Sequence, residues 1–172
     1  MLQVFEAMGM FISEADFNEW ALPSMKRIAQ ELKARHPDVP LLVFPRGASY
    51  AIVALQQAGY DVVTLDTTAD RAGSRSLLEK DAAKTGARSA GIQGNLDVAI
   101  LEGLKYKKEG SSETIVQRIE QIKSETRRML VELGPQKLIA NLGEGLTGKE
   151  DPVFVETFIE ATHSISEELI RR

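Results

Sequence analysis

The chain contains no cysteine. That absence removes disulfides, thiolate catalysis and thiolate metal sites together. Histidine occurs only as His36 and His163, and tryptophan only as Trp20. A basic surplus is also missing: 21 lysines and arginines face 25 acids, for a formal net charge of -4 and a pI near 5.3. A nucleic-acid partner calls for a basic stripe, so none is expected. No run approaches the roughly 20 apolar residues that a membrane span requires, and no membrane partner is expected. The opening Met1-Leu2-Gln3-Val4-Phe5-Glu6 lacks the basic and apolar regions of a signal peptide. It reads as the middle of a strand, so the expectation is that Met1 is an internal methionine.

What is present fits one ordinary globular domain, 1–172: 43% hydrophobic and 27% charged residues over a 172-residue chain. Its dominant pattern is a short apolar run, a glycine or polar tip, then an amphipathic helix. The runs are Leu2 to Phe5, Leu41 to Phe44, Val62 to Leu65, Ala90 to Gln93 and Leu138 to Ala140. Each is continuous rather than alternating, which suits parallel strands covered on both faces.

Between the runs, Ser13 is placed to cap a helix with Phe17, Ala21, Ile28 and Leu32 at helical spacing, broken or restarted by Pro23. Ala48 to Ala58 predicts a short helix closed by Gly59. Ser111 or Ser112 is expected to cap a long helix carrying Ile115, Ile119, Ile122, Met129 and Leu133, stopped by Gly134-Pro135. Asp151-Pro152 opens a last helix with Phe154, Phe158, Ala161, Ile165 and Leu169 on one stripe. The polar stretch Thr68 to Arg88 reads as a loop with a short helix. Strands alternating with helices imply parallel pairing and right-handed crossovers. Five units are too few to close an eight-stranded barrel. They fit an open doubly wound sheet or part of a barrel, and the strand-like start favours the latter: α/β, a partial (β/α)8 barrel.

In such folds a ligand sits at the carboxyl ends of the strands. The tips here are Glu6-Ala7, Pro45-Arg46-Gly47, Asp66-Thr67, Gln93-Gly94-Asn95 with Asp97, and Asn141-Gly143-Glu144. Arg46 is the basic residue immediately at a tip, hence a partner for a substrate carboxylate or a surface arginine at a helix start. Gly94 and Gly143 allow close backbone approach or simple turns; Asn95 and Asn141 are contacts, caps or left-handed residues. Asp66 and Glu144 form an acid/base pair if they converge, and otherwise cap helices. His36 and His163 read as surface or packing residues. Asp38, Asp61, Asp70 and Asp81 show no ligand spacing, so no metal is expected. The Lys105 to Lys108 run reads as solvated.

Two segments carry a resemblance: Gln93-Gly94-Asn95-Leu96-Asp97 and Ala140-Asn141-Leu142-Gly143-Glu144-Gly145. With Gln3 to Glu6, Ala21-Leu22-Pro23, Ala58 to Val63, Leu65-Asp66, Gly134-Pro135 and Asp151-Pro152, they form an ordered set that resembles the uroporphyrinogen decarboxylase family. The resemblance implies a (β/α)8 barrel that removes carboxyl groups from the acetate arms of uroporphyrinogen III, giving coproporphyrinogen III in haem and chlorophyll synthesis, without cofactor or metal. It also implies that this chain matches the carboxyl-terminal half, and that the aspartate, principal arginines and tyrosine of the family's pocket lie in the other half. Phe5 resembles a pocket-lining phenylalanine. Ala7 stands where the family commonly has a serine, and Glu144 where it has a histidine. An ionised Glu144 would repel substrate carboxylates by about a few kcal/mol if desolvated, with Arg46, near a family lysine, as a compensating charge. The substrate-binding set is therefore Phe5, Ala7, Arg46, Asn141, Gly143 and Glu144, and no residue is assigned as catalytic outright. Zinc-dependent methyltransferases of the same superfamily need cysteine ligands, which this chain lacks.

Two functions stay open at this level. One is uroporphyrinogen decarboxylase, inactive as these residues alone. The other is a non-catalytic half-barrel that binds a tetrapyrrole or a partner half-barrel. A homodimer or a complementary half is the expected protein partner, and the cytoplasm or a plastid the expected location.

Overall fold

The computed structural model describes residues 1–106 and 113–171. Five parallel strands form one sheet: β1 (Leu2–Glu6), β2 (Leu41–Pro45), β3 (Val62–Thr64), β4 (Gly91–Leu96) and β5 (Leu138–Leu142). Their spatial order is their chain order, so every crossover steps one strand in the same direction. A doubly wound sheet reverses direction at a switch point; this one does not. With right-handed crossovers throughout, all helices fall on one face, which is the arrangement of a barrel wall.

The register shows how the sequence builds the two faces. Val4, Val43, Val63, Ile92 and Leu138 are paired across the sheet in one row. All five belong to the helix-side core or pack against it. Alternation along a strand then turns Gln3, Phe5, Leu42, Phe44, Thr64, Gln93, Ile139 and Asn141 to the other, helix-free face. At the flanks of that face Phe5 is 67% exposed and Ile139 37%. At its centre Leu42, Thr64 and Gln93 are buried, as expected of a face curled into a concavity. β1 and β5 are the two edges of this arc.

On the helix side lie α1 (Glu14–Asp16), α2 (Leu22–Arg35), α3 (Ile52–Gln57), α4 (Arg71–Thr85), α5 (Ile115–Leu133) and α6 (Pro152–Ile170). Ser13 caps α1, its Oγ accepting the Asp16 N–H. A π turn, Phe17–Ala21, precedes α2, and its wider turn shifts the helical phase. Leu22, Met25 and Ala29 consequently face the core behind Phe17, and Ile28, expected on the buried stripe, is exposed instead. The stretch from Thr68 to Arg88, read from sequence as mostly loop, contains the 15-residue α4. Asp70 caps it through the Gly73 N–H. Its inward face is only Ser74, Leu78 and Ala82, too small and polar to register as an apolar stripe.

Ser111 and Ser112, the expected caps of α5, lie outside the described residues, as do Lys107 and Lys108. The described cap is Thr114, in a reciprocal capping box with Gln117. Ile115, also expected on the inner stripe, is exposed; Ile122, Met129, Leu130 and Leu133 are buried. Asp151 and Pro152 open α6 as the sequence implies, and Phe154, Phe158, Ala161 and Ile165 are buried along it. Among the described residues no helix is long and apolar enough to cross a membrane.

Candidate functional site at the strand tips

β4 is longer than its sequence pattern suggests. Gly94 and Asn95 lie within the strand, paired with Ala140 and Asn141 of β5, and Asp97 forms the tip. The Gly94–Asn95 peptide is cis. Gly94 has φ +141°, and a Cβ there would stand 2.9 Å from the Leu65 carbonyl oxygen, so a side chain is excluded on both counts. Neither Asn95 nor Asn141 adopts a left-handed conformation. Asn95 is a buried brace: its amide donates to the Asp66 carbonyl at 2.7 Å, and its oxygen accepts the Arg71 Nε–H at 2.7 Å.

Arg46 is held from both sides. Its backbone N–H donates to the Glu6 carbonyl of β1 at 2.9 Å. The next residue, Gly47, donates its N–H to the buried Asp66 carboxylate after β3 at 2.7 Å. Asp66 also accepts from the Thr68 N–H and hydroxyl, at 2.9 and 2.7 Å. With three donors on its oxygens, this carboxylate is a clamp for the loops after β2 and β3. Glu6 does comparable work after β1, accepting the N–H groups of Met8 and Gly9 at 2.9 and 2.8 Å. That turn lies directly on the β2 tip: a Cβ on Gly47 would run into Met10, and one on Gly9 into Ala48 and the Arg46 carbonyl.

The Arg46 side chain reaches across the tips of β3 and β4 to Glu144, just beyond β5. Its Nε and terminal nitrogen approach the two carboxylate oxygens at 3.1 and 3.0 Å. This is the two-pronged fit of a guanidinium to a carboxylate. Both side chains are partly exposed, 39% for Arg46 and 28% for Glu144. Gly143 sets the start of the Glu144 loop, its N–H bonding the Leu96 carbonyl at 2.8 Å. A Cβ there would come within 2.5 Å of the Thr67 backbone nitrogen.

The structure thus brings Arg46 and Glu144 together at one rim, with Gly143 fixing the approach. Phe5 is close by on the helix-free face, edge to face with Phe44 at 6.2 Å. Ala7 is exposed at the β1 tip and Asn141 is half-buried in β5. Asp66 and Glu144 are not joined as an acid/base pair: the first is occupied by Gly47 and Thr68, the second by Arg46. The two histidines are exposed, away from the tips. Three of the other aspartates have local duties. Asp70 caps α4, Asp81 accepts the amides of Gln56 and Gln57, and Asp61, at the opposite end of the sheet, bonds Lys33 and the Leu41 N–H. Burial alone would raise the Asp61 carboxyl, but those two donors hold it below its usual range.

Sequence reasoning missed the Arg71 link, in which Arg71 reaches both Asn95 and Glu132, the latter at 3.0 Å. The available signal was Asp70, a capping residue directly before Arg71. A separate groove of about 460 Å³, lined by Thr67, Arg71, Asp97 and Arg118, opens between α4 and α5. It contains none of the expected substrate-binding set.

A family model described as Uroporphyrinogen decarboxylase (URO-D) matches residues 1–165, and so nearly the whole chain. The chain belongs to the uroporphyrinogen decarboxylase family. Curated family members named uroporphyrinogen decarboxylase include one from Salinibacter ruber, 34% identical over 166 residues, covering 96% of this chain and 41% of that protein. The Homo sapiens protein is 34% identical over 170 residues, covering 96% of this chain and 40% of its own length. An Arabidopsis thaliana relative, named uroporphyrinogen decarboxylase 2, chloroplastic, is 32% identical over 164 residues, 95% of this chain and 36% of its own. The chain spans about two-fifths of the length of the family members it matches.

Proposed function

We propose that these residues form one wall of a uroporphyrinogen decarboxylase pocket, the carboxyl-terminal five strands of its barrel, and that alone they do not turn over substrate. The observation that carries this reading is the sheet itself: five strands in barrel order, with two edges and one helix-free face that is buried at its centre. A barrel closes with eight, so three further strands are needed to enclose a substrate.

The reaction class asks for a proton delivered to a pyrrole carbon, loss of carbon dioxide and reprotonation, inside a site with fixed positive charge for the substrate carboxylates. What this chain supplies is partial. Phe5 and Phe44 offer an apolar wall for a ring face, and Arg46 offers one guanidinium. That guanidinium is neutralised by Glu144, and Ala7 brings no hydroxyl. The pocket's acid, its tyrosine and most of its cations must come from the complementary wall, within the same polypeptide or from a partner. The cytoplasm or a plastid is the compartment in keeping with relatives such as the chloroplastic plant protein.

A second reading has its own observation. The Arg46–Glu144 pair removes free positive charge from the rim, which suits a half-barrel that binds a tetrapyrrole or a partner half without chemistry. A chimera separates the two: residues 1–165 replacing the matched segment of the Salinibacter ruber protein. Decarboxylation of uroporphyrinogen III by the chimera supports the enzyme wall. A folded chimera that binds uroporphyrin and releases no carbon dioxide supports the binding module.

A further inference from the structure

We propose that Arg46 is a carboxylate-exchange site and that Glu144 is its resident competitor: an acidic arm of the ligand displaces the Glu144 carboxylate from the guanidinium. The inference rests on the preceding reading for its ligand, a carboxylate-bearing tetrapyrrole, but the exchange itself requires only a carboxylate.

Three features carry it. The first is geometry. Glu144 meets Arg46 through two oxygens at 3.0 and 3.1 Å, the same two-pronged contact a ligand carboxylate would make. The second is an asymmetry in how the partners are held. The Arg46 backbone is anchored through its own N–H to Glu6 and through Gly47 to Asp66. Glu144 stands at the head of an exposed loop, where Gly145, Leu146, Thr147 and Gly148 are all open to solvent and a Cβ on Gly145 would meet nothing within 4 Å. The anion has open space beside it to swing into, while the backbone that carries the guanidinium stays in place.

The third feature is the balance of strengths. A partly exposed pair lies in the weak class of ion pairs, so a ligand that also places apolar surface on the neighbouring Phe5 and Phe44 outcompetes it. The consequence is specificity: Glu144 sets a threshold that a lone small carboxylate meets poorly, and that a carboxylate carried on an apolar ring system overcomes.

The test uses glutarate as the probe. Binding is followed at the Arg46 Nε–H and Gly47 amide resonances in the intact chain, in E144Q and E144A, and in R46Q/E144Q. Both resonances are expected to shift with glutarate, with a midpoint about two- to five-fold lower in E144Q and E144A than in the parent. The Gly47 response is expected to vanish in R46Q/E144Q. Equal midpoints in the parent and both single variants overturn the proposal, as does a Gly47 response that survives R46Q/E144Q, or no shift in any protein. Uroporphyrin is titrated in parallel, by its Soret band, into the Salinibacter ruber chimera whose barrel is complete. If glutarate exchanges as described and the folded chimera fails to bind uroporphyrin, the exchange stands and the tetrapyrrole reading falls.

Discussion

Arg46 and Glu144 meet side chain to side chain although 98 residues separate them in the chain. One follows β2 and the other follows β5, so two strands stand between them. Joining them ties the rim of the arc across its mouth. The exposure of both partners limits what the tie contributes to stability. A double-mutant cycle on R46Q and E144Q is expected to give a coupling of about 0.2–1 kcal/mol in urea unfolding, shrinking as salt is raised. A coupling of several kcal/mol would mean that the pair is buried in solution.

Asp66 stands in contrast. It is buried, and its oxygens accept the Gly47 N–H, the Thr68 N–H and the Thr68 hydroxyl. Asp66→Asn replaces one accepting oxygen with a donor that faces a donor, and is expected to cost about 2 kcal/mol or more in urea unfolding. The same variant should disturb the Arg46 resonances, because Gly47 loses its anchor.

Gly143 and Gly145 form a matched pair for testing the close approach of the β5 loop to Thr67. A methyl group at Gly143 would lie 2.5 Å from the Thr67 nitrogen, whereas one at Gly145 meets nothing within 4 Å. Gly143→Ala is expected to destabilise by about 1–3 kcal/mol, and Gly145→Ala to stay within about 0.5 kcal/mol. Thermal or urea unfolding of the two variants decides it.

Glu150 contributes to the acid limb of the stability curve, beside the lowered Asp61 carboxyl. The Glu150 carboxylate accepts the Thr147 N–H, with further bonds from the Thr147 hydroxyl and the Gly148 N–H, and is lowered from 4.5 to about 2. A folded-state value below the unfolded one contributes stability that is fully present above about 4.5. That contribution is lost as pH falls through about 2. A carbon-13 titration of the Glu150 carboxyl should show its midpoint near 2, and Glu150→Gln should flatten the stability change between those two values. A Glu150 midpoint near 4.5 would contradict the bonding.

The strands were legible because buried parallel strands write continuous apolar runs, and five of them recur with helices between; their barrel-like order was not, since the same runs fit a doubly wound sheet. The tip residues were legible for the same reason: each run ends abruptly in glycine and polar residues. What hid was anything set by phase or by distant partners. The π turn at Phe17–Ala21 moved Ile28 off the core, and no apolar stripe announces such a turn. Helix α4 escaped because its buried face is Ser74, Leu78 and Ala82. Arg46 was legible as a charge compensating Glu144, but their two-pronged contact was not, since sequence gives a tip residue its place on the rim but not the geometry its side chain adopts.

The central claim is that this chain forms an incomplete wall of a decarboxylase barrel. The most direct measurement incubates the purified chain alone with uroporphyrinogen III under reducing, anaerobic conditions and counts acetate carboxyls lost by chromatography of the oxidised porphyrins. The account predicts unchanged octacarboxylate. The appearance of heptacarboxylate through tetracarboxylate products would contradict it, and would place a complete catalytic site within these 172 residues.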